Sequence, residues 1–80
     1  MVTIYTKNVC PYCVRAKQYF ETHSIAYTEI NLGNDFDKIE ALKLKTGFMT
    51  LPQIFVNDQF IGGYTDMIAK IESGELNFPR

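Results

Sequence analysis

Short blocks of hydrophobic and polar residues alternate along the chain and predict strands and helices in turn. Residues 2–6 are typical of a buried strand, and residues 25–31 alternate well enough for a second one. Four residues between them follow the i, i+3, i+4, i+7 spacing of one helix face: Ala16, Tyr19, Phe20 and His23. Two strands joined by one helix in this way predict a parallel βαβ unit.

A second helix is predicted after the turn at Gly33-Asn34-Asp35, and Gly47 terminates it. Three apolar residues mark its expected inward face: Phe36, Ile39 and Leu42. Three charged residues between and after them are expected to face solvent: Glu40, Lys43 and Lys45. The helix is therefore predicted to be amphipathic and to cover one side of a sheet.

The last third of the chain predicts a hairpin and a helix. Residues 53–56 have the strongest strand pattern, and Asn57-Asp58 suit a two-residue turn into residues 59–61. Thr65 is predicted to cap a helix closed by Ser73-Gly74. Its expected inward residues are Ile68, Ala69 and Ile71. The order β-α-β-α-β-β-α predicts an α/β fold with a four-stranded mixed sheet, strand order 2-1-3-4, flanked by three helices.

Length and composition narrow the class of protein. Eighty residues, 46% of them hydrophobic, predict one small globular domain over residues 1–80. A net charge of −1 excludes a strongly basic nucleic-acid binder. No apolar run approaches a membrane span, and residues 1–7 lack the apolar core of a signal peptide. With only two cysteines, closely spaced, we expect a cytoplasmic protein that binds neither membrane nor nucleic acid.

The two cysteines lie three positions apart, at the junction between the first strand and the first helix. Pro11 suits the first helical turn, so Cys10 is predicted at the N-cap, where unpaired N–H groups and the helix dipole favour a thiolate. Cysteines in such motifs have a pKa of about 3.5–7.5 instead of about 8.5. Cys13, one turn inside the helix, is expected to be more shielded. One sulfur that attacks and one that resolves make a redox pair.

Three other interpretations of the cysteines compete with redox chemistry. A structural disulfide would close a four-residue loop worth roughly 2 kcal/mol, in a chain with no disulfide framework. A zinc half-site would need further ligands, and His23 is the single histidine. The third interpretation is that two buried cysteines have this spacing by chance.

Basic residues also surround the motif, and they are either functional cations or part of an ordinary solvated helix face: Lys7, Arg15 and Lys17.

Three segments together closely resemble the dithiol glutaredoxins of the Cys-Pro-Tyr-Cys type, in that family's order and spacing. They are Cys10-Pro11-Tyr12-Cys13, residues 50–56 and Gly62-Gly63-Tyr64-Thr65-Asp66. The resemblance covers the whole chain and implies a thioredoxin-like fold with no bound cofactor or metal. It implies a monomer that exchanges disulfides with proteins and with glutathione as co-substrate, in electron transport and cell redox homeostasis. Ribonucleotide reductase is a family-level candidate partner.

The resemblance also implies the site residues. Cys10 is the nucleophile and Cys13 the resolving cysteine. The implied glutathione-binding residues are Lys7, Tyr12, Thr50, Leu51, Pro52, Gly63, Tyr64, Thr65 and Asp66. The resemblance favours a cis Pro52 peptide, which would present the Leu51 backbone to an incoming cysteine as an extra strand.

Each of these assignments has a structural alternative. Pro52 could simply begin an edge strand, and Asp66 could simply complement the helix dipole. Tyr12 could be only an exposed aromatic, and Tyr64 could pack in the core. Lys7 could meet the glycyl carboxylate of glutathione or favour the Cys10 thiolate.

Two residues depart from the family's usual pattern, and two other functions compete with the one that the resemblance implies. Met49 stands where a basic residue often precedes Thr-x-Pro, so one carboxylate contact is expected to be missing, whereas Leu51 in place of valine should matter little. Pro11-Tyr12 departs from the branch that binds iron–sulfur clusters. The rivals are a thioredoxin-like donor fed by a flavoprotein reductase and a metal- or cluster-carrying module.

Overall fold

Seven elements follow one another in the order that the hydrophobic pattern predicts. The computed structural model describes residues 1–78; the last two residues of the predicted domain lie outside that range. The elements are β1 (Val2–Thr6), α1 (Pro11–Thr22), β2 (Thr28–Asn31), α2 (Phe36–Thr46), β3 (Gln53–Val56), β4 (Gln59–Gly62) and α3 (Tyr64–Glu72). None of the helices within residues 1–78 has the length and apolar character needed to cross a membrane.

The four strands form one mixed sheet in the order β2-β1-β3-β4, which confirms the predicted topology. β1 pairs in parallel with β2 and antiparallel with β3, and β3 pairs antiparallel with β4. Tyr5, near the end of β1, lies opposite Gln53, the first residue of β3. The segments that follow β1 and precede β3 therefore meet at one edge of the sheet, and this edge carries both the cysteine motif and Pro52.

The main core lies between one face of the sheet and the helices α1 and α3. Its fully buried members include Ile4 and Ile54 from the sheet, Phe20 from α1 and Met67 from α3. Tyr5 projects to the opposite face of β1, because side chains alternate along a strand. There a smaller cluster contains Cys10, Cys13 and Leu51, with Tyr5, Leu32 and Ile39 of α2 packed against it.

The turns follow the predicted chemistry. Asn57 and Asp58 adopt φ values of 51° and 66° in the hairpin between β3 and β4. Gly47 ends α2 in the left-handed conformation with φ 75°, where a residue without Cβ fits best. The Asp35 carboxylate accepts a hydrogen bond from the Lys38 N–H at 3.1 Å and caps the start of α2.

Three burial or boundary predictions are wrong. β2 begins only at Thr28 and is an exposed edge strand, although Ile25 before it is buried in the core. Phe36 is 71% exposed, because it is the first residue of α2 and only the later turns of the helix reach the smaller cluster. In α3 the buried residue is Met67 and Ala69 is exposed. Ile68 and Ile71 pack against the main core as predicted, so the inward face of α3 contains Met67 in place of Ala69.

Candidate active site

Cys10 occupies the N-cap of α1, as the sequence predicts, with φ −138° and ψ 94° and with Pro11 as the first helical residue. The Cys13 backbone N–H donates a hydrogen bond to Cys10 Sγ at 3.1 Å. The two cysteines form a disulfide across a Cα–Cα distance of 5.2 Å. Cys10 is 9% exposed and Cys13 is 2% exposed, so the second sulfur is the more shielded one. The structure is therefore that of the oxidised pair.

The segment before β3 lies directly against Cys10. The Leu51–Pro52 peptide is cis, which confirms the expectation drawn from the resemblance. The Leu51 carbonyl oxygen lies 3.7 Å from Cys10 Sγ, and the Leu51 side chain is buried in the same cluster as the two cysteines. A residue 41 positions along the chain thus lies directly beside the Cys10 sulfur.

A groove of about 440 Å³ opens beside Cys10. The residues that line it, called the groove residues below, are Lys7, Val9, Cys10, Pro11, Tyr12, Lys43, Phe48, Met49, Thr50, Leu51, Pro52, Gly63, Tyr64 and Thr65. Lys7 and Lys43 carry positive charge, and no groove residue is an aspartate or a glutamate. The groove is therefore suited to a ligand that carries negative charge.

Eight of the nine glutathione-binding residues predicted from the resemblance are groove residues: Lys7, Tyr12, Thr50, Leu51, Pro52, Gly63, Tyr64 and Thr65. Asp66 lies outside the groove lining. The sequence analysis missed Val9, Lys43 and Phe48 as groove residues. Lys43, predicted to face solvent, is partly exposed: its ammonium lies 3.5 Å from the Glu40 carboxylate, and its side chain also lines the groove.

The start of α3 forms the far wall of the groove, and its cap differs from the predicted one. Gly63, not Thr65, is the N-cap, and its N–H donates to Asp66 Oδ2 at 3.0 Å. Gly62 has φ 122°, and a Cβ there would lie 2.8 Å from the Asp66 Cβ, so only glycine fits. The next N–H groups of α3, including that of Thr65, lack carbonyl partners within the helix and are donors suited to an anion.

Two tyrosines flank the groove. The Tyr12 and Tyr64 rings are stacked with centroids 6.1 Å apart, and the Arg15 guanidinium carbon lies 5.2 Å from the Tyr12 ring centroid. Tyr64 lines the groove and also packs against the main core. This stack fixes the position of Tyr12, which is otherwise half-exposed.

The three basic residues near the motif have different surroundings. Lys7 lines the groove, and Arg15 stacks on Tyr12. Lys17 instead forms an ion pair with Glu29 at 3.1 Å. A hydrogen bond from the Thr6 hydroxyl at 2.7 Å, and then the Lys17 ammonium, lower the pKa of Glu29. Lys17 therefore ties α1 to β2 and is not a groove cation.

Metal-ligating side chains are dispersed in the part of the chain that the structure describes. Across residues 1–78, His, Cys, Asp and Glu side chains form no group of three or more that could hold a metal ion. The chemical capacity of the site therefore rests on the two sulfurs, the helix N-termini of α1 and α3, and the cations of the groove.

Comparison with known proteins gives one consistent result. The sequence model of the family described as Glutaredoxin matches residues 2–61. Glutaredoxin 3 of Escherichia coli K12 is 38% identical over 76 residues, which span 95% of this chain and 92% of that relative. The crystal structure of a buckwheat glutaredoxin–glutathione complex has a TM-score of 0.82 at 31% identity, covering 94% of this chain and 71% of that one. Glutaredoxin 1 from Francisella tularensis, complexed with cacodylate, has a TM-score of 0.75 at 36% identity, covering 92% and 94% of the two chains.

Proposed function

The chain belongs to the glutaredoxin family and is a glutathione-dependent thiol–disulfide oxidoreductase; from this premise we propose that the groove residues bind glutathione and that Cys10 is the attacking sulfur. The observation that carries the proposal is the position of Cys10: an N-cap sulfur with its partner cysteine buried behind it and a cationic groove in front of it. The similar buckwheat glutaredoxin forms a crystalline complex with glutathione, and this supports the same ligand here.

With a glutathionylated protein, the Cys10 thiolate attacks the glutathione sulfur and forms a Cys10–glutathione disulfide. The sulfur–sulfur bond of the substrate breaks, and the protein thiolate leaves with the electron pair. A second glutathione thiolate then attacks the glutathione sulfur on Cys10, which releases oxidised glutathione and restores the Cys10 thiolate. The N-terminus of α1 stabilises the thiolate before the attack and after the release.

With a protein disulfide, the Cys10 thiolate attacks one substrate sulfur, and the other leaves as a thiolate. Cys13 then attacks Cys10 Sγ and releases the second substrate thiol, which gives the Cys10–Cys13 disulfide. Two glutathione molecules reduce this disulfide in turn. The burial of Cys13 suits the resolving role, because a sulfur that is 2% exposed meets an incoming disulfide less readily than Cys10.

For glutathione itself we propose contacts at both ends of the groove. The N–H groups at Thr65 and Asp66 take the γ-glutamyl carboxylate, and the Asp66 carboxylate takes the neighbouring ammonium. Lys7 attracts the glycyl carboxylate together with Lys43, whose ammonium also lies 3.5 Å from the Glu40 carboxylate. The Leu51 backbone pairs with the cysteine of glutathione as an added strand, and this places the glutathione sulfur near Cys10.

We further propose that the protein acts in a reducing cytoplasm, in electron transfer to glutathionylated and disulfide-bonded proteins. The support is its cysteine usage: both cysteines belong to the redox pair, and the 80 residues carry no others for a disulfide framework. Glutaredoxins lie near −200 to −230 mV, close to the glutathione pool, so the direction of flow follows that pool. Ribonucleotide reductase remains a candidate protein substrate.

The test is turnover of a glutathionylated peptide with glutathione, NADPH and glutathione reductase. Consumption of NADPH that saturates with the glutathionylated peptide is the expected result. A parallel reaction with thioredoxin reductase and without glutathione examines the thioredoxin-like rival. Turnover only in that second reaction would refute the glutathione assignment. Amide chemical shifts that glutathione moves in Leu51 and Thr65 would support the groove as its site.

A further inference from the structure

A buried amide holds the loop that forms one wall of the groove. Gln53 is 0% exposed and is not a groove residue. Its Nε2 group donates to the Phe48 carbonyl at 2.8 Å and to the Thr50 carbonyl at 3.3 Å. Its Oε1 accepts from the Thr46 hydroxyl at 2.8 Å. Both N–H bonds of the amide and its oxygen are thus occupied, which defines the orientation of the side chain.

Thr46 links the same amide to α2. Its hydroxyl oxygen accepts from the Phe48 N–H at 3.2 Å and lies 3.1 Å from the Leu42 carbonyl. The loop after α2 is therefore held at Phe48 by its N–H and its carbonyl, and at Thr50 by its carbonyl. Buried networks in which every polar group is satisfied are rigid, because any displacement leaves a donor or acceptor without a partner.

The loop in turn contacts the opposite wall of the groove. A Cβ added to Gly63 would lie 3.3 Å from the Phe48 ring, so this ring sits directly against the N-cap of α3. The Phe48 ring also meets Phe60 of β4 edge-on, with centroids 5.5 Å apart. The position of Phe48 therefore sets the separation between the loop that carries Thr50 and Leu51 and the N-terminus of α3.

We propose that Gln53, supported by Thr46, is a positioning residue that sets the width of the glutathione groove. The inference rests on the proposed function, since it concerns the site where glutathione binds. The two residues touch neither sulfur; they hold the Leu51 backbone and the α3 N-terminus at the spacing that lets one glutathione molecule contact both. Loss of the network shifts the two walls relative to each other and weakens glutathione binding, whereas Cys10 keeps its own environment at the start of α1.

Four substitutions distinguish a positioning role of Gln53 and Thr46 from a role in protein stability alone. Gln53→Met removes all three hydrogen bonds at similar volume, and Gln53→Glu keeps the shape but sets a carboxylate oxygen against two carbonyl oxygens. Thr46→Val removes the hydroxyl, and Thr46→Ser retains it. Val56→Ala is the matched control, because Val56 is a buried core residue on the same strand and its loss lowers stability without touching the loop.

Two readouts are compared on each variant: KM for a glutathionylated peptide in the coupled assay, and the rate at which reduced protein attacks a small disulfide without a γ-glutamyl group. For Gln53→Met and Thr46→Val we expect KM to rise roughly tenfold, because small misplacements of binding groups are costly. The rate with the small disulfide and the pH titration of the Cys10 thiolate should match the wild type. Thr46→Ser should restore KM, Gln53→Glu should be at least as impaired as Gln53→Met, and Val56→Ala should lower the melting temperature alone.

An unchanged KM in folded Thr46→Val or Gln53→Met would overturn the inference, and so would an equal loss with both substrates. If Gln53→Met fails to fold, Thr46→Val against Thr46→Ser still decides, since Thr46 is only partly buried. A wild-type protein that does not saturate with the glutathionylated peptide would instead refute the proposed function. Failure of the positioning inference is therefore seen in the variants, whereas failure of the proposed function is seen in the wild-type protein.

Discussion

The backbone N–H of Cys13 donates a hydrogen bond to Sγ of Cys10 across 3.1 Å, so the residue proposed to carry the resolving sulfur also stabilises the sulfur proposed to attack. This relationship follows from the N-cap geometry of Cys10 and does not depend on the Cys13 side chain. A substitution of the Cys13 side chain should therefore leave the hydrogen bond to Cys10 in place.

The first prediction concerns the division of labour between the two sulfurs. Cys10→Ser should abolish both deglutathionylation and reduction of protein disulfides, because a hydroxyl has no comparable anion at neutral pH. Cys13→Ser should retain deglutathionylation and lose most reduction of protein disulfides. Coupled assays with a glutathionylated peptide and with a disulfide-bonded protein measure the two activities. Loss of both activities in Cys13→Ser would contradict the proposed route.

The second prediction concerns Asp66, which caps Gly63 through one carboxylate oxygen. Asp66→Asn can keep that hydrogen bond but removes the negative charge that we propose pairs with the γ-glutamyl ammonium. Because ~1.4 kcal/mol corresponds to a factor of ten, and charge-assisted hydrogen bonds contribute roughly that much, affinity for glutathionylated substrates should fall about tenfold. Thermal unfolding and attack on a small disulfide without a γ-glutamyl group should change little. Equal losses on both substrates would assign Asp66 to the fold alone.

The third prediction is a pH dependence of stability that comes from Glu29. Its folded-state pKa is lowered, first by the hydrogen bond from Thr6 and then by Lys17, with burial acting in the opposite direction. A lowered folded pKa stabilises the protein above the unfolded value of about 4.3. That contribution disappears as the pH falls through the folded value.

Glu29→Gln should therefore lower the free energy of unfolding at pH 7, and this difference should shrink between pH 7 and pH 3, as the pH falls towards the lowered folded pKa of Glu29. Urea denaturation of both proteins at the two pH values measures the difference. Lys17→Met serves as the comparison, because it removes one of the two partners that lower the pKa of Glu29. A difference between Glu29→Gln and wild type that stays constant with pH would refute the prediction.

The fourth prediction concerns Val9, which precedes Cys10. It is 94% exposed and has φ 53°, a left-handed conformation that is unfavourable for a β-branched residue. Asparagine tolerates this conformation, so Val9→Asn should raise the free energy of unfolding by about 1 kcal/mol. Chemical denaturation measures the change, and Val9→Ala is the control that removes branching without adding a preference for positive φ. A Val9→Asn protein no more stable than Val9→Ala would contradict this account.

The order of elements and the position of Cys10 could be predicted from the sequence. Both depend on interactions within a few residues: apolar spacing decides strand or helix, and Pro11 after Cys10 defines the first helical turn. The two-residue turn at Asn57-Asp58 is likewise local. A βαβ unit followed by a hairpin leaves few ways to order four strands, so the sheet topology could also be predicted from the sequence.

Burial and the composition of the groove were decided by the tertiary structure. Apolar periodicity identifies the inward face of a helix only on average, so Phe36 at the first turn of α2 and Ala69 in α3 were misplaced. The groove joins segments far apart in sequence, which meet because Tyr5 pairs with Gln53 in the antiparallel register of β1 and β3. Lys43 becomes a groove cation only through that pairing, since no local pattern records which remote segment a side chain will face.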